Sequence, residues 1–231
     1  MESRKRTICL ALMMCAGVLS IGAASASACV KSGYPGKKEH CYAIAEWPKE
    51  NLGLVSSIRT FFASVPKPSE EFVDHEMWDS WSEPGWVEAG DTEGITQQGV
   101  SNGLVYFTAV SYPPRSSIKG YYEAALTYGP GADNWFEDDI HAAGSGEWSI
   151  FLGGSNVWNW GTLPAFAYDG QAGLEATDED IVSSGQMTNF AYWNPNTGQL
   201  NGGWPGDSGI TVGHTCLSID SDIGGSFEND C

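Results

Sequence analysis

Trp86-Val87-Glu88-Ala89-Gly90, read as extended chain, puts Val87 and Ala89 on one side and Trp86 and Glu88 on the other. The same period of two returns in Gln171-Ala172-Gly173-Leu174-Glu175-Ala176-Thr177. There Ala172, Leu174 and Ala176 share a face, and Gln171, Gly173, Glu175 and Thr177 share the opposite one. Alternation of this kind is the mark of a strand with one face in a core. Outward from these two stretches the pattern repeats. Further strands are expected at 41–47, 55–63, 76–81, 104–111, 121–128, 148–152, 187–193 and 210–218. Turns are expected at Pro84-Gly85, Asn102-Gly103, Pro113-Pro114, Gly129-Pro130-Gly131, Gly153-Gly154, Asn196-Thr197-Gly198 and Gly202-Gly203. Helix signals are nearly absent beyond residue 28. The fold class that follows is all-β, an antiparallel, jelly-roll-like β-sandwich forming one domain over 29–231.

Residues 1–28 are expected to be a signal peptide. Arg4, Lys5 and Arg6 form a basic start, an apolar run follows, and Ala26-Ser27-Ala28 is a cleavage signal. The expected location is extracellular, with Cys29 as the mature N-terminus. A lipid anchor on Cys29 is the lesser alternative, because Ala26 stands where lipoprotein signals carry a larger aliphatic side chain. No second apolar segment is long enough to span a bilayer. Cys29, Cys41, Cys216 and Cys231 remain after cleavage, and four cysteines in an exported protein point to two disulfides, with three pairings open.

Three of the 11 Lys and Arg fall in the leader but only one of the 29 Asp and Glu, so the remainder holds 8 cations against 28 carboxylates. No Lys or Arg follows Lys119. Such a chain repels phosphate backbones, so nucleic acid is excluded as a partner. Two readings of the charge stand level: a solubility and salt-tolerance coat, or service in acid, where carboxylates titrate near pH ~4 and self-repulsion fades. The acidic clusters Glu137-Asp138-Asp139, Asp178-Glu179-Asp180 and Asp220-Ser221-Asp222 are expected to be solvated loops, since none has the spacing of a calcium-binding loop. No cofactor and no metal site are expected, as no C-x-x-C pair occurs and His75-Glu76 lacks a second zinc-binding His. Gly206-Asp207-Ser208-Gly209 matches the nucleophile segment of chymotrypsin-like proteases, but no histidine segment accompanies it, and a turn is the simpler reading.

Glu88 and Glu175 are the candidate catalytic residues. Each sits mid-strand, where Glu is disfavoured, on the face opposite the core. An antiparallel sheet with one wet face would also carry Glu there without any role. The order of pieces shifts that balance. His75-Glu76-Met77-Trp78 precedes Trp86-Val87-Glu88-Ala89-Gly90; the aromatic run Val105-Tyr106-Phe107-Thr108-Ala109 and the Trp148 strand follow; Ala172-Gly173-Leu174-Glu175 closes the series. Over residues 55–180 this order resembles the neprosin-like and eqolisin-like glutamic peptidases, in which one strand carries the first catalytic residue in an acidic-small-Gly context and a later Gly-rich strand bears the second Glu.

The resemblance implies a secreted endopeptidase that works in acid. Glu88 and Glu175 would share one groove from neighbouring or facing strands, and Trp86, Thr108 and Gln171 would line it. Of two carboxyls held close, one keeps a proton while the other acts as base toward water. The expected partner is an extended polymeric substrate met by a monomer. Two alternatives use the same scaffold. One is a jelly-roll glycoside hydrolase acting on a glycan, for which Glu76-Met77-Trp78 and Gly173-Leu174-Glu175 are the matching pieces. The other is a carbohydrate-binding β-sandwich without catalysis.

Overall fold

Runs of aromatic and β-branched residues, interrupted every few positions by Gly, Pro or Asn, leave the chain little choice but short strands and tight turns. The computed structural model describes residues 30–31, 39–81, 85–111, 121–178, 180–203, 208–212, 215–220 and 224–229. Its strands in chain order are β1 (Val30–Lys31), β2 (Glu39–Trp47), β3 (Gly53–Ser64), β4 (Phe72–Ser80), β5 (Trp86–Thr96), β6 (Gly99–Ser111), β7 (Tyr121–Ala125) and β8 (Trp135–Gly144). The series continues with β9 (Glu147–Leu152), β10 (Ser155–Trp160), β11 (Asp169–Ala176), β12 (Val182–Trp193), β13 (Leu200–Gly202), β14 (Ser208–Val212), β15 (Thr215–Asp220) and β16 (Gly224–Asn229). None of the described residues is helical, and no helix is long and apolar enough to cross a membrane.

Two antiparallel sheets face each other as a sandwich. The first runs β1-β2-β11-β4-β5-β6-β7, with β14 also on β2; the second runs β10-β9-β8-β3-β12-β16-β15, with β13 also on β12. Consecutive strands meet as hairpins in β4–β7 and β8–β10, whereas β11 is inserted between β2 and β4, far from it in sequence. Val73, Met77, Val87, Ala89, Val110, Ala172 and Leu174 of the first sheet pack on Leu54, Ile58, Phe136, Ile140, Ile150, Met187 and Phe227 of the second. The alternation of 86–90 and 171–177 therefore has the expected sides, with Val87, Ala89, Ala172, Leu174 and Ala176 inward.

Several local expectations change. Asn102-Gly103 is no hairpin turn; it lies inside β6, where the pairing with β5 jumps from Thr92↔Val105 to Gly94↔Ser101 and the extra residues bulge. The actual reversal is at Gln97-Gln98. Glu137-Asp138-Asp139 is no solvated loop but the middle of β8, with Asp138 fully buried. The expected strand 210–218 divides into β14, paired to β2, and β15, in the other sheet. The Gly153-Gly154 turn is where expected and joins β9 to β10 with φ of +61° and +77°, a pair of left-handed values that glycine adopts without cost. Pro84, Pro113-Pro114, Glu179 and Gly206-Asp207 lie outside the described residues.

Between the sheets the core is not wholly apolar. His75 of β4 bonds Asp91 of β5 through Nδ1 at 2.6 Å, and Ser183 of β12 through Nε2 at 2.6 Å. Thr60 of β3 donates to Asp91 Oδ2 at 2.9 Å. All four side chains have 0% exposure. This Ser–His–Asp chain has the order of a nucleophilic triad, yet no substrate reaches it; it ties the two sheets together. His75 also stacks on Phe227 at 5.4 Å. Removing the imidazole strands a buried carboxylate beside a single hydroxyl donor. His75→Leu is therefore expected to cost about 3–5 kcal/mol in denaturant unfolding, and adding Asp91→Leu to recover part of that loss. A neutral His75→Leu variant would contradict this role.

Candidate functional site

The outer face of the first sheet is set by the register of β4 between its two neighbours. Trp78 lies opposite Glu88 of β5 and Gln171 of β11; Glu76 lies opposite Gly90 and Gly173; Asp74 lies opposite Thr92 and Glu175. The rungs continue outward. Glu88 pairs with Ala109 and then Glu123 of β7, Trp86 with Ser111 and then Tyr121, and Glu175 with Tyr42 of β2. One face therefore collects Asp74, Glu76, Glu88, Glu123 and Glu175, together with Tyr42, Tyr121, Trp78 and Trp86.

The two glycines of the motif stretches are required by close packing. A Cβ on Gly90 would stand 2.0 Å from the His75 carbonyl oxygen, and one on Gly173 would stand 2.1 Å from that of Ala43. Because both are glycines, Glu76 is the only side chain on its rung between Ile44 and Phe107.

Glu88 and Glu175 thus share a face, but their strands are neither neighbouring nor facing. β4 stands between them, and their rungs are four residues out of step along it. Nor is the face wet, as a bare solvated sheet would be: Glu88 is 8% exposed, Asp74 6% and Glu76 0%. Glu88 Oε2 accepts the Trp86 indole N–H at 2.6 Å. Burial, and next the charge of Glu175, push Glu88 up to about 8, against the pull of Trp86 and Tyr121. Glu123 is pushed up to about 7, chiefly by burial. Asp74 and Glu76 also lie well above the ordinary carboxylate range, again chiefly through burial. Glu175 is held differently. His40 Nδ1 pairs with its Oε1, which also accepts the Tyr42 hydroxyl at 3.1 Å. Burial and the nearby carboxylates push the Tyr42 phenol up, so it stays a donor.

Trp86 lies on the same face as Glu88 and donates its indole N–H to it. Gln171 is on the same face beside Trp78, and its amide donates to Asp169 Oδ2 at 2.8 Å and Glu46 Oε1 at 3.3 Å. Thr108 lies on the opposite side of the sheet from Glu88. It faces the core with Ala89, donates to the Glu88 carbonyl oxygen at 2.8 Å and accepts the Trp160 indole N–H at 2.9 Å. It supports the strand that carries Glu88 and cannot touch a substrate on the other face. Sequence reasoning did not find Asp74, His40, Tyr42, Tyr121 or Glu123 as members of the site, and gave Glu76 no role in the peptidase reading beyond its place in the segment that precedes Glu88. Among the described residues no group of three or more His, Cys, Asp or Glu is arranged to hold a metal ion.

No protein-family model matches the chain, and no curated protein matches it in sequence. Solved structures do. Scytalido-glutamic peptidase with a transition-state analogue inhibitor is 8% identical, with a TM-score of 0.54 over 82% of this chain and 98% of that one. The same peptidase with a peptide-based transition-state analogue is 9% identical, with a TM-score of 0.51 and the same coverage. SCP-B, a member of the eqolisin family of peptidases, solved with the tripeptide Ala-Ile-His, is 9% identical, with a TM-score of 0.50 over 82% and 98%. At this identity the likeness is one of fold.

The raised carboxyls fix the sign of the pH dependence. Glu88 and Glu123 rise from an ordinary 4.5 to about 8 and about 7 on folding, so over that window the folded chain holds protons that the unfolded chain has released. Stability is therefore expected to be complete below the unfolded value and to fall as pH rises from about 4.5 toward about 8. Melting temperature at low salt should be higher near the acid end of that range. Glu88→Gln should flatten part of the slope and leave the acid end unchanged. A melting temperature that rises with pH across the window would contradict the assignment.

Proposed function

We propose that the chain is an exported hydrolase that cleaves polypeptides in acid, with Glu88 as general acid and Glu175 as general base. One observation carries the reading: on a single face, burial raises the Glu88 carboxyl to about 8, while Glu175 Oε1 meets His40 Nδ1 and accepts the Tyr42 hydroxyl. Glu175 takes a proton from water as the hydroxide oxygen bonds to the peptide carbonyl carbon. Glu88 donates a hydrogen bond to the developing oxyanion. As the C–N bond breaks, the Glu88 proton passes to the leaving nitrogen. Trp86 orients Glu88 by its indole N–H. The buried carboxyls Asp74, Glu76, Asp79, Glu88 and Asp138 favour service in acid over a solubility coat, because a coat has no need to place acids out of water.

Glu88→Gln and Glu175→Gln should each lower cleavage of an unfolded protein at acid pH by about 10²–10⁴-fold. The variants should keep the wild-type melting temperature at that pH. Full proteolysis by both variants would overturn the assignment. Cleavage of β-glucan with protein left intact would move the same face to the glycosidase reading.

A further inference from the structure

β7 ends the first sheet, and among the described residues one of its edges has no neighbouring strand. That edge is nevertheless occupied. The Gln97 side-chain amide donates to the Tyr121 carbonyl oxygen at 3.3 Å and accepts the Glu123 N–H at 3.3 Å. The Gln98 amide donates to the Glu123 carbonyl oxygen at 2.7 Å and accepts the Ala125 N–H at 3.0 Å. Residues 121, 123 and 125 turn their backbone groups to this one edge, as the alternation of an antiparallel ladder requires. A primary amide carries the same C=O and N–H as a peptide unit, so two glutamines stand in the place of a strand. They sit at the tip of the β5–β6 hairpin, between Thr96 and Gly99. Thr96 Oγ1 shapes that tip, accepting the Gln98 N–H at 3.2 Å and donating to the Gly99 carbonyl oxygen at 2.8 Å. The Gln97 backbone N–H donates to Glu123 Oε2 at 3.0 Å. Both glutamines are exposed. Water therefore competes for their bonds, and holding two long side chains in place costs rotamer freedom.

Resting on the peptidase reading above, we propose that this edge of β7 is a docking edge for an extended polypeptide, closed in the resting chain by Gln97 and Gln98. An incoming strand would bond the same groups by β-addition and send the hairpin tip away. Amide bonds replace amide bonds at β7, and the two glutamines pass to water. The tip can leave without breaking the ladder between β6 and β7. Alternate side chains of the docked strand would lie beside Tyr121 and Glu123, which belong to the candidate face. β6 separates this strand from β5, so β7 stands about 10 Å from the backbone of Glu88. Docking there holds a flank of the substrate and not the bond to be cut.

Gln97→Ala with Gln98→Ala removes the cover and leaves β7 as it is. The probe is a blocked octapeptide of alternating Thr and Val, added to the full chain carrying Glu175→Gln so that the peptide is not consumed. The double variant is expected to bind it at least about ten-fold tighter than the chain that keeps both glutamines. Gln98→Ala alone, a milder change, should give part of the gain. Backbone amide exchange locates the site: fast at Glu123 and Ala125 in the double variant, slow again with peptide bound. N-methylation of alternate peptide residues should abolish binding in one register and spare it in the other. Ala125→Pro deletes an edge N–H that Gln98 takes and β6 does not, a change edge strands tolerate, and should weaken peptide binding by the double variant. Equal binding with and without the glutamines, or binding that leaves Glu123 and Ala125 in fast exchange, would overturn the proposal. So would a lower melting temperature with no gain in binding, the mark of an edge cover alone, or pairing of two copies through β7 in place of the peptide. A wild-type chain that cleaves no protein while these shifts are seen would remove the peptidase reading and leave the docking edge standing.

Discussion

Everything on the candidate face depends on the register of β4 between β5 and β11. Side chains alternate strictly along a strand, so a slip of one residue would carry Asp74, Glu76 and Trp78 into the core and turn His75, Met77 and Asp79 outward. β4 is nearly buried on both sides, and polar residues occur on both, so its hydrophobic pattern alone does not choose the register. The hydrogen-bonded chain of His75, Asp91, Thr60 and Ser183 makes the choice. With the register one residue off, His75 loses both of its partners while Asp91 and Ser183 each lose one, a cost beyond that of an ordinary packing defect. The pin in the core thus holds the carboxyls on the opposite face, and the fold and the site share one constraint.

The second consequence is electrostatic. A sheet face bearing five acids would disperse its repulsion if it were open to water. Here desolvation is the first cause of the raised value for Asp74, Glu76, Glu88 and Glu123, and mutual repulsion adds to it for Asp74, Glu76 and Glu88. Burying a carboxyl without a cation favours its protonated form, which escapes the penalty of a buried charge in acid and destabilises the fold as the medium turns alkaline. The lopsided composition of the chain is therefore in part an interior property, written into β4, β5 and β8 rather than spread over the surface.

How much of this was legible depends on parity. The stretches 86–90 and 171–177 alternate cleanly, so their inward and outward faces follow from residue types. The strand holding Thr108 does not alternate: Val105, Phe107 and Ala109 are as apolar as Tyr106 and Val110, and parity cannot be read where both faces are covered. That is why Thr108 belongs to the core and not to the outer face. β8 escaped notice because Glu137-Asp138-Asp139 breaks the strand signature, and a buried aspartate is the rarest reading of such a run. The insertion of β11 between β2 and β4 is a long-range pairing that no local pattern records. From it comes the one relation that residue order alone conceals, the placing of Glu76 midway between the two glutamates that the motifs single out.

The account rests on two glutamates of one face differing in protonation at the same pH. Neutron diffraction from crystals of the exchanged protein, at a pD between the ordinary glutamate range and the value of about 8 reached by Glu88, reads this directly. A deuteron on the Glu88 carboxyl, with none on Glu175 where His40 and Tyr42 meet it, is the predicted result. A bare Glu88 carboxylate, or a deuteron resident on Glu175, would contradict it.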